Sequence, residues 1–143
     1  MAASVGEPQV GSVGRGVILT VPARPDVVQV VRTVVGSIAS RLGFPYDQVD
    51  DVRLATSEIV AHLLEENPPP EALVVEVHET ETGIEVEASR TTGTKAWPPT
   101  GARHSLTTLI LRALADDASF EQSDHGPAIR FAKRHGTGAA PVP

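Results

Sequence analysis

Apolar positions along the chain change period several times, and each change marks an element. Val17 to Val21 is a short apolar run that suits a strand, and Pro22 and Pro25 end it. Asp26 then opens a helix, because a carboxylate is favoured at the positive end of the helix dipole. Val27, Val31, Val34, Ile38 and Leu42 recur at helical spacing, which overrides the strand preference of so many valines. Gly43 and Pro45 terminate this helix. Asp47 caps a second helix running to about Glu66, with Val52, Ala55, Ile59 and Leu63 as its buried stripe. Three prolines, Pro68 to Pro70, stop it.

The period then shortens. Leu73 to His78 and Ile84 to Ser89 form two strands around a turn at Thr82 and Gly83. Ile84, Val86 and Ala88 face one way and Glu85 and Glu87 the other, giving one buried and one wet sheet face. Thr91 to Arg103 is a long loop containing Gly93, Trp97, Pro98, Pro99 and Gly101. A helix follows from about Ser105 to Asp116, with Leu106, Leu109, Ile110, Ala113 and Leu114 as its apolar residues. Phe120 starts a strand, Asp124 to Gly126 turns the chain, and Ala128 to Arg134 closes the sheet. The expected fold is an α/β (α+β) two-layer sandwich, a mixed sheet with three helices on one face. Residues 17–135 make one domain, and the Gly-, Ser- and Ala-rich stretches 1–16 and 136–143 read as loose tails.

Composition narrows the function. At 143 residues the chain supports one core, and with 3% aromatics that core must be Val, Leu, Ile and Ala. A net charge of -6 leaves no electrostatic footprint for nucleic acid and suits a basic protein partner. No cysteine is present, which excludes disulfides, thiol catalysis and cysteine metal sites. No stretch approaches the ~20 apolar residues of a membrane span, and Met1 to Gly16 lacks a signal-peptide run, so the default location is the cytoplasm. His78, His104, His125 and His135 are scattered and read as surface residues. Trp97 reads as a loop anchor packed on the core, with a partner contact as the competing reading.

Three stretches carry a resemblance. They are Val30 to Gly36 in the first helix, Asp51-Val52-Arg53-Leu54-Ala55-Thr56-Ser57-Glu58 in the second, and Leu111 to Asp117 in the third. Their order and spacing resemble the anti-sigma-factor serine kinase branch of the GHKL ATPase family, most closely its actinobacterial members. The middle stretch resembles the family's N-box helix. There a glutamate activates the attacking hydroxyl, and an asparagine one turn later holds magnesium; here these positions are Glu58 and His62. Neutral imidazole is a poor magnesium ligand. Arg90 stands at or near the aspartate that reads adenine, and a guanidinium has no acceptor for the adenine amine. Gly93 falls in the first glycine box. Thr107 falls in the second, where His104-Ser105-Leu106-Thr107-Thr108 lacks the glycines that bring backbone amides to phosphate. The family's closing Gly-Thr becomes Gly126-Pro127-Ala128.

The resemblance therefore implies ATP and magnesium as cofactors through an eroded site, with no separate metal site. Glu58 reads either as a solvated helix acid, paired with His62 one turn on, or as a catalytic base; a Glu58–His62 metal pair lacks a third ligand. The first-choice function is sequestration of an alternative sigma factor, released by a STAS-type anti-anti-sigma partner. An active protein serine kinase and a GHKL-like adaptor with another partner are the rivals. Arg32 stands at the family's partner-contacting arginine, rotated roughly 100° from the buried stripe. A homodimer is compatible with this family reading, whereas nucleic-acid and membrane partners are not expected.

Overall fold

The computed structural model describes residues 6–13, 16–91 and 96–136. Within them the order is β1 (Gln9–Val13), β2 (Gly16–Pro22), α1 (Val27–Arg41), α2 (Tyr46–Glu65), β3 (Ala72–Glu79), β4 (Gly83–Arg90), α3 (Ala102–Leu114), β5 (Asp117–Ser123) and β6 (Gly126–Arg134). The six strands form one sheet in the order β1-β2-β3-β4-β6-β5. Every neighbouring pair is antiparallel, so the mixed sheet expected from the sequence is corrected to an antiparallel one. The second correction is β1, which pairs with β2 inside the stretch expected to be a tail. Its Gln, Gly and Ser content hides a strand that only the neighbouring edge of β2 stabilises.

Register explains the core. Leu19, Val75, Ala88, Ile129 and Phe120 lie opposite one another across five strands. Val17, Val77, Val86, Phe131 and Ala118 form the next row. Leu19, Val75, Val77, Val86, Ala88, Ile129 and Phe131 are buried and belong to one cluster with the helices. Each such Val or Leu removed from water contributes ~1.5–3 kcal/mol before entropy is counted. The helix layer adds Val27, Val31, Val35 and Ala39 from α1, and Val52, Ala55, Ile59, Val60 and Leu63 from α2.

Two expected helix faces are turned. In α1 the buried line is Val31, Val35 and Ala39, while Val34 and Ile38 are only partly buried. Valines surround this helix, so hydropathy alone does not fix its rotation. In α3 the buried residues are Thr107 and Leu111, whereas Leu106 and Leu109 are 49% and 66% exposed. This helix starts at Ala102 rather than Ser105 and ends at Leu114 rather than Asp116. The N-cap of α2 is Pro45, and Asp47 sits in its first turn instead of capping it.

Lys133 binds the layers together. Its ammonium donates to Asp51 Oδ2 on α2 at 3.1 Å and to the Leu114 carbonyl at the end of α3 at 2.9 Å. On the opposite sheet face, Arg130 pairs with Glu85, Asp117 and Glu121. Glu87 stands in the same face opposite Glu76. Burial, then the charges of Glu121, Glu76 and Glu85, raise its pKa above the usual carboxylate value.

Candidate functional site at the seam of α2 and α3

One face of α2 presents Glu58, His62 and Glu65 to α3 at one-turn spacings. The facing turn of α3 presents Arg103 and Thr107, also one turn apart. The two sets interlock. Arg103 Nη1 donates to Glu58 Oε2 at 2.5 Å, and Arg103 Nη2 donates to Glu65 Oε2 at 2.6 Å. The Thr107 hydroxyl donates to the same Glu58 oxygen at 2.7 Å. Thr107 Oγ1 also accepts from Arg103 Nη1 at 3.1 Å.

His62 completes the seam. Its Nδ1 lies 2.7 Å from Thr107 Oγ1. A hydroxyl has one proton, and that proton is committed to Glu58, so Nδ1 must be the donor here. Thr107 thereby spends its one donor and both acceptor sites. His62 is buried, and its Nε2 is without a hydrogen-bond partner among the described residues. Glu66 Oε1 stands 3.9 Å from that nitrogen. Burial, with the charge of Arg103 second, lowers the His62 pKa to about 4. The ring is therefore neutral near pH 7.

An aromatic cluster closes the space beside it. Phe120 meets the rings of His62, Trp97 and His104 at centroid distances of 5.5, 5.5 and 4.5 Å. Trp97 Nε1 donates to the Glu121 carbonyl at 2.8 Å, which supports the anchor reading of this residue. His104, expected at the surface, is half-buried in this cluster.

Arg90 has a structural task. Its position in β4 continues the row of Val21 and Leu73, so its side chain enters the core and is fully buried. The guanidinium donates to the carbonyls of Leu63 at 3.3 Å, Glu66 at 3.1 Å, and Pro68. These carbonyls lie at and just beyond the negative end of α2, where a cation is favoured. Burial lowers the Arg90 pKa, with Glu66 opposing, but the ordinary arginine value is so high that the charge persists.

Of the sequence candidates, Thr107 meets both Glu58 and His62, and Arg90 sits at the C-terminal end of the same helix. Gly93 lies outside the described residues. Arg32 is remote from the seam; on α1 its Nη2 donates to Gln29 Oε1 at 2.6 Å, and it lines a shallow cleft with Asp50, Arg53 and Leu54. Arg103 and Glu65 were missed. The available signal was the repeat of four between Arg103 and Thr107 at the start of a helix. Among the described residues no three His, Asp or Glu side chains converge on a metal-sized site. No described helix is long and apolar enough to cross a membrane.

Over 72 residues, 48% of this chain and 45% of the relative, the sequence is 32% identical to the serine-protein kinase RsbW of Bacillus thuringiensis. Over 47 residues, 33% of this chain and 29% of the relative, it is 40% identical to RsbW of Halalkalibacterium halodurans. The crystal structure of the RsbU and RsbW domains of Rv1364c from Mycobacterium tuberculosis superposes with a TM-score of 0.63. That superposition covers 82% of this chain and 32% of the other at 16% identity, and so speaks for the fold. Over these stretches the chain is similar to the RsbW serine-protein kinases. It spans less than half the length of these RsbW proteins. No protein-family model matches it. RsbW belongs to the anti-sigma branch of the GHKL family, the branch that the three sequence stretches resemble. Glu58 lies in the second of those stretches, and an arginine from the facing helix lies on it.

Proposed function

We propose that the chain is an anti-sigma regulatory factor of the RsbW type that acts by binding rather than by phosphoryl transfer. Its partners in this reading are an alternative sigma factor and a STAS-type anti-anti-sigma protein. The observation that carries the reading is the engagement of Glu58 by Arg103 and Thr107. A general base must face the proton it removes, with a free lone pair of suitable basicity. Here Glu58 Oε2 instead accepts two charge-assisted hydrogen bonds from α3.

The residues do not fit magnesium-bound ATP. His62 Nδ1 is committed to Thr107, and its Nε2 sits within an aromatic cluster. Arg90 holds α2 carbonyls where the family's aspartate would read adenine. Each lost ligand removes ~1–3 kcal/mol of binding, so two or three losses weaken ATP binding roughly a hundredfold or more. Arg32 is the partner-binding residue of this proposal. It stands off the buried line of α1, with a guanidinium that reaches solvent for a partner carboxylate.

Titration against the alternative sigma factors of the native host tests this. Wild type binds one of them, and Arg32→Ala weakens that binding at least about tenfold with unchanged circular dichroism. Phosphate transfer from ATP to a STAS partner, abolished by Glu58→Ala, would establish the kinase reading in its place. Binding to some other class of protein would leave an adaptor.

A further inference from the structure

We infer that Arg103 is a built-in latch that holds α3 shut on α2, so that the closed state of this helix pair needs no nucleotide. The inference rests on the reading of the chain as an RsbW-type binding protein and specifies how its site is regulated.

Four features carry it. Arg103 bridges two carboxylates about two helical turns apart on α2, with both arms at short distances, 2.5 Å to Glu58 and 2.6 Å to Glu65. A planar guanidinium can span two acids in this way, and a lysine ammonium on a single point cannot match it. Glu58 is the more enclosed partner, its side chain 14% exposed, so that pair is less screened than a surface bridge. Thr107 repeats the contact one turn further along α3, which fixes the rotation of the helix as well as its distance.

The rest of α3 explains why such a latch is needed. Only Thr107 and Leu111 of this helix are buried, and Leu106 and Leu109 are exposed. A helix of 13 residues with so little apolar burial is held weakly by packing alone. Its attachment to α2 therefore falls largely on the polar seam. At its C-terminal end the Lys133 bond to the Leu114 carbonyl supplies the second fastening. With both ends tied, α3 is fastened to its neighbours by the chain's own side chains.

Hydrogen exchange of the full chain tests this, with and without millimolar magnesium-ATP. In wild type the amides of α3 should be protected to the same degree in both conditions. In Arg103→Ala their exchange should speed up by about tenfold or more while β3 and β4 keep their protection. Unchanged α3 exchange in Arg103→Ala would overturn the latch, as would a clear gain of α3 protection when wild type meets ATP. Should Arg103→Ala also lose sheet protection, Glu65→Gln decides. That variant takes the charge from one arm only, leaving a neutral acceptor, and should raise α3 exchange about threefold; no rise would overturn the latch. Failure to find a sigma partner would leave the exchange result standing, so the two readings fail separately.

Discussion

The imidazole Nδ1 of His62 donates across the helix seam to the Thr107 hydroxyl, 2.7 Å away, while its buried Nε2 has no hydrogen-bond partner among the described residues. Protonating that ring would place a charge among Trp97, Phe120 and Leu-rich core, beside the cation of Arg103. Its pKa is about 4 in the fold and 6.5 when unfolded. The unfolded state thus binds the extra proton between these values. The stability contributed by neutral His62 is complete above pH 6.5 and is lost as the pH falls towards about 4. The full loss is on the order of 3 kcal/mol. Urea midpoints measured from about pH 7 down to about pH 4.5 should fall more steeply for wild type than for His62→Asn. The asparagine amide can replace the Nδ1 donor but does not titrate. Parallel slopes would show that His62 is not responsible.

Arg90 predicts a large effect from a fully buried residue. Arg90→Met keeps the stem and removes the donors, leaving the Leu63, Glu66 and Pro68 carbonyls short of partners. The expected cost is ~2–4 kcal/mol by urea unfolding. Arg90→Asp should be worse, because it sets a carboxylate against the negative end of α2. An Arg90→Asp protein that is stable and binds ATP would contradict the structural role given to this arginine.

Trp97 is the chain's one tryptophan. Trp97→Phe keeps a ring against Phe120 but loses the hydrogen bond to the Glu121 carbonyl. It should lower stability by ~1–2 kcal/mol and leave partner affinity unchanged. A loss of affinity with unchanged stability would revive the contact reading of the loop.

Two glycines in strands should respond oppositely to alanine. Gly126 has φ +127°, and a Cβ there would collide with the Arg90 carbonyl, so Gly126→Ala should cost ~2 kcal/mol or more. Gly11 in β1 has open space around its Cβ position, and Gly11→Ala should move the melting temperature by no more than about 2 °C. Differential scanning calorimetry of the two variants makes the comparison; equal shifts would refute it.

Strand and helix order was legible because period 2 and period 3.6 alternate cleanly between Val17 and Arg134. What failed was whatever depends on a distant neighbour. Thr107 is buried with its hydroxyl fully used by Glu58 and His62 of α2 and by Arg103, a circumstance that hydropathy cannot register. The Arg90 substitution looked like the loss of an adenine ligand, but its gain, the closing of a helix 24 residues upstream, needs the register of β4 against α2. Glu58 was singled out on its own, yet its partner lies 45 residues away, on the first turn of a helix whose start the sequence placed three residues late. β1 was passed over because an edge strand need not be apolar to pair.

The Arg103 bridge has one more consequence. A diffusible ligand holds two helices together only in proportion to its concentration, so a nucleotide-closed pair would follow the cell's energy supply. The guanidinium of Arg103 is tethered to the helix that it fastens, and its effective concentration beside Glu58 is set by chain geometry alone. On the latch proposal, the seam between α2 and α3 should be equally closed in a starved cell and in a growing one.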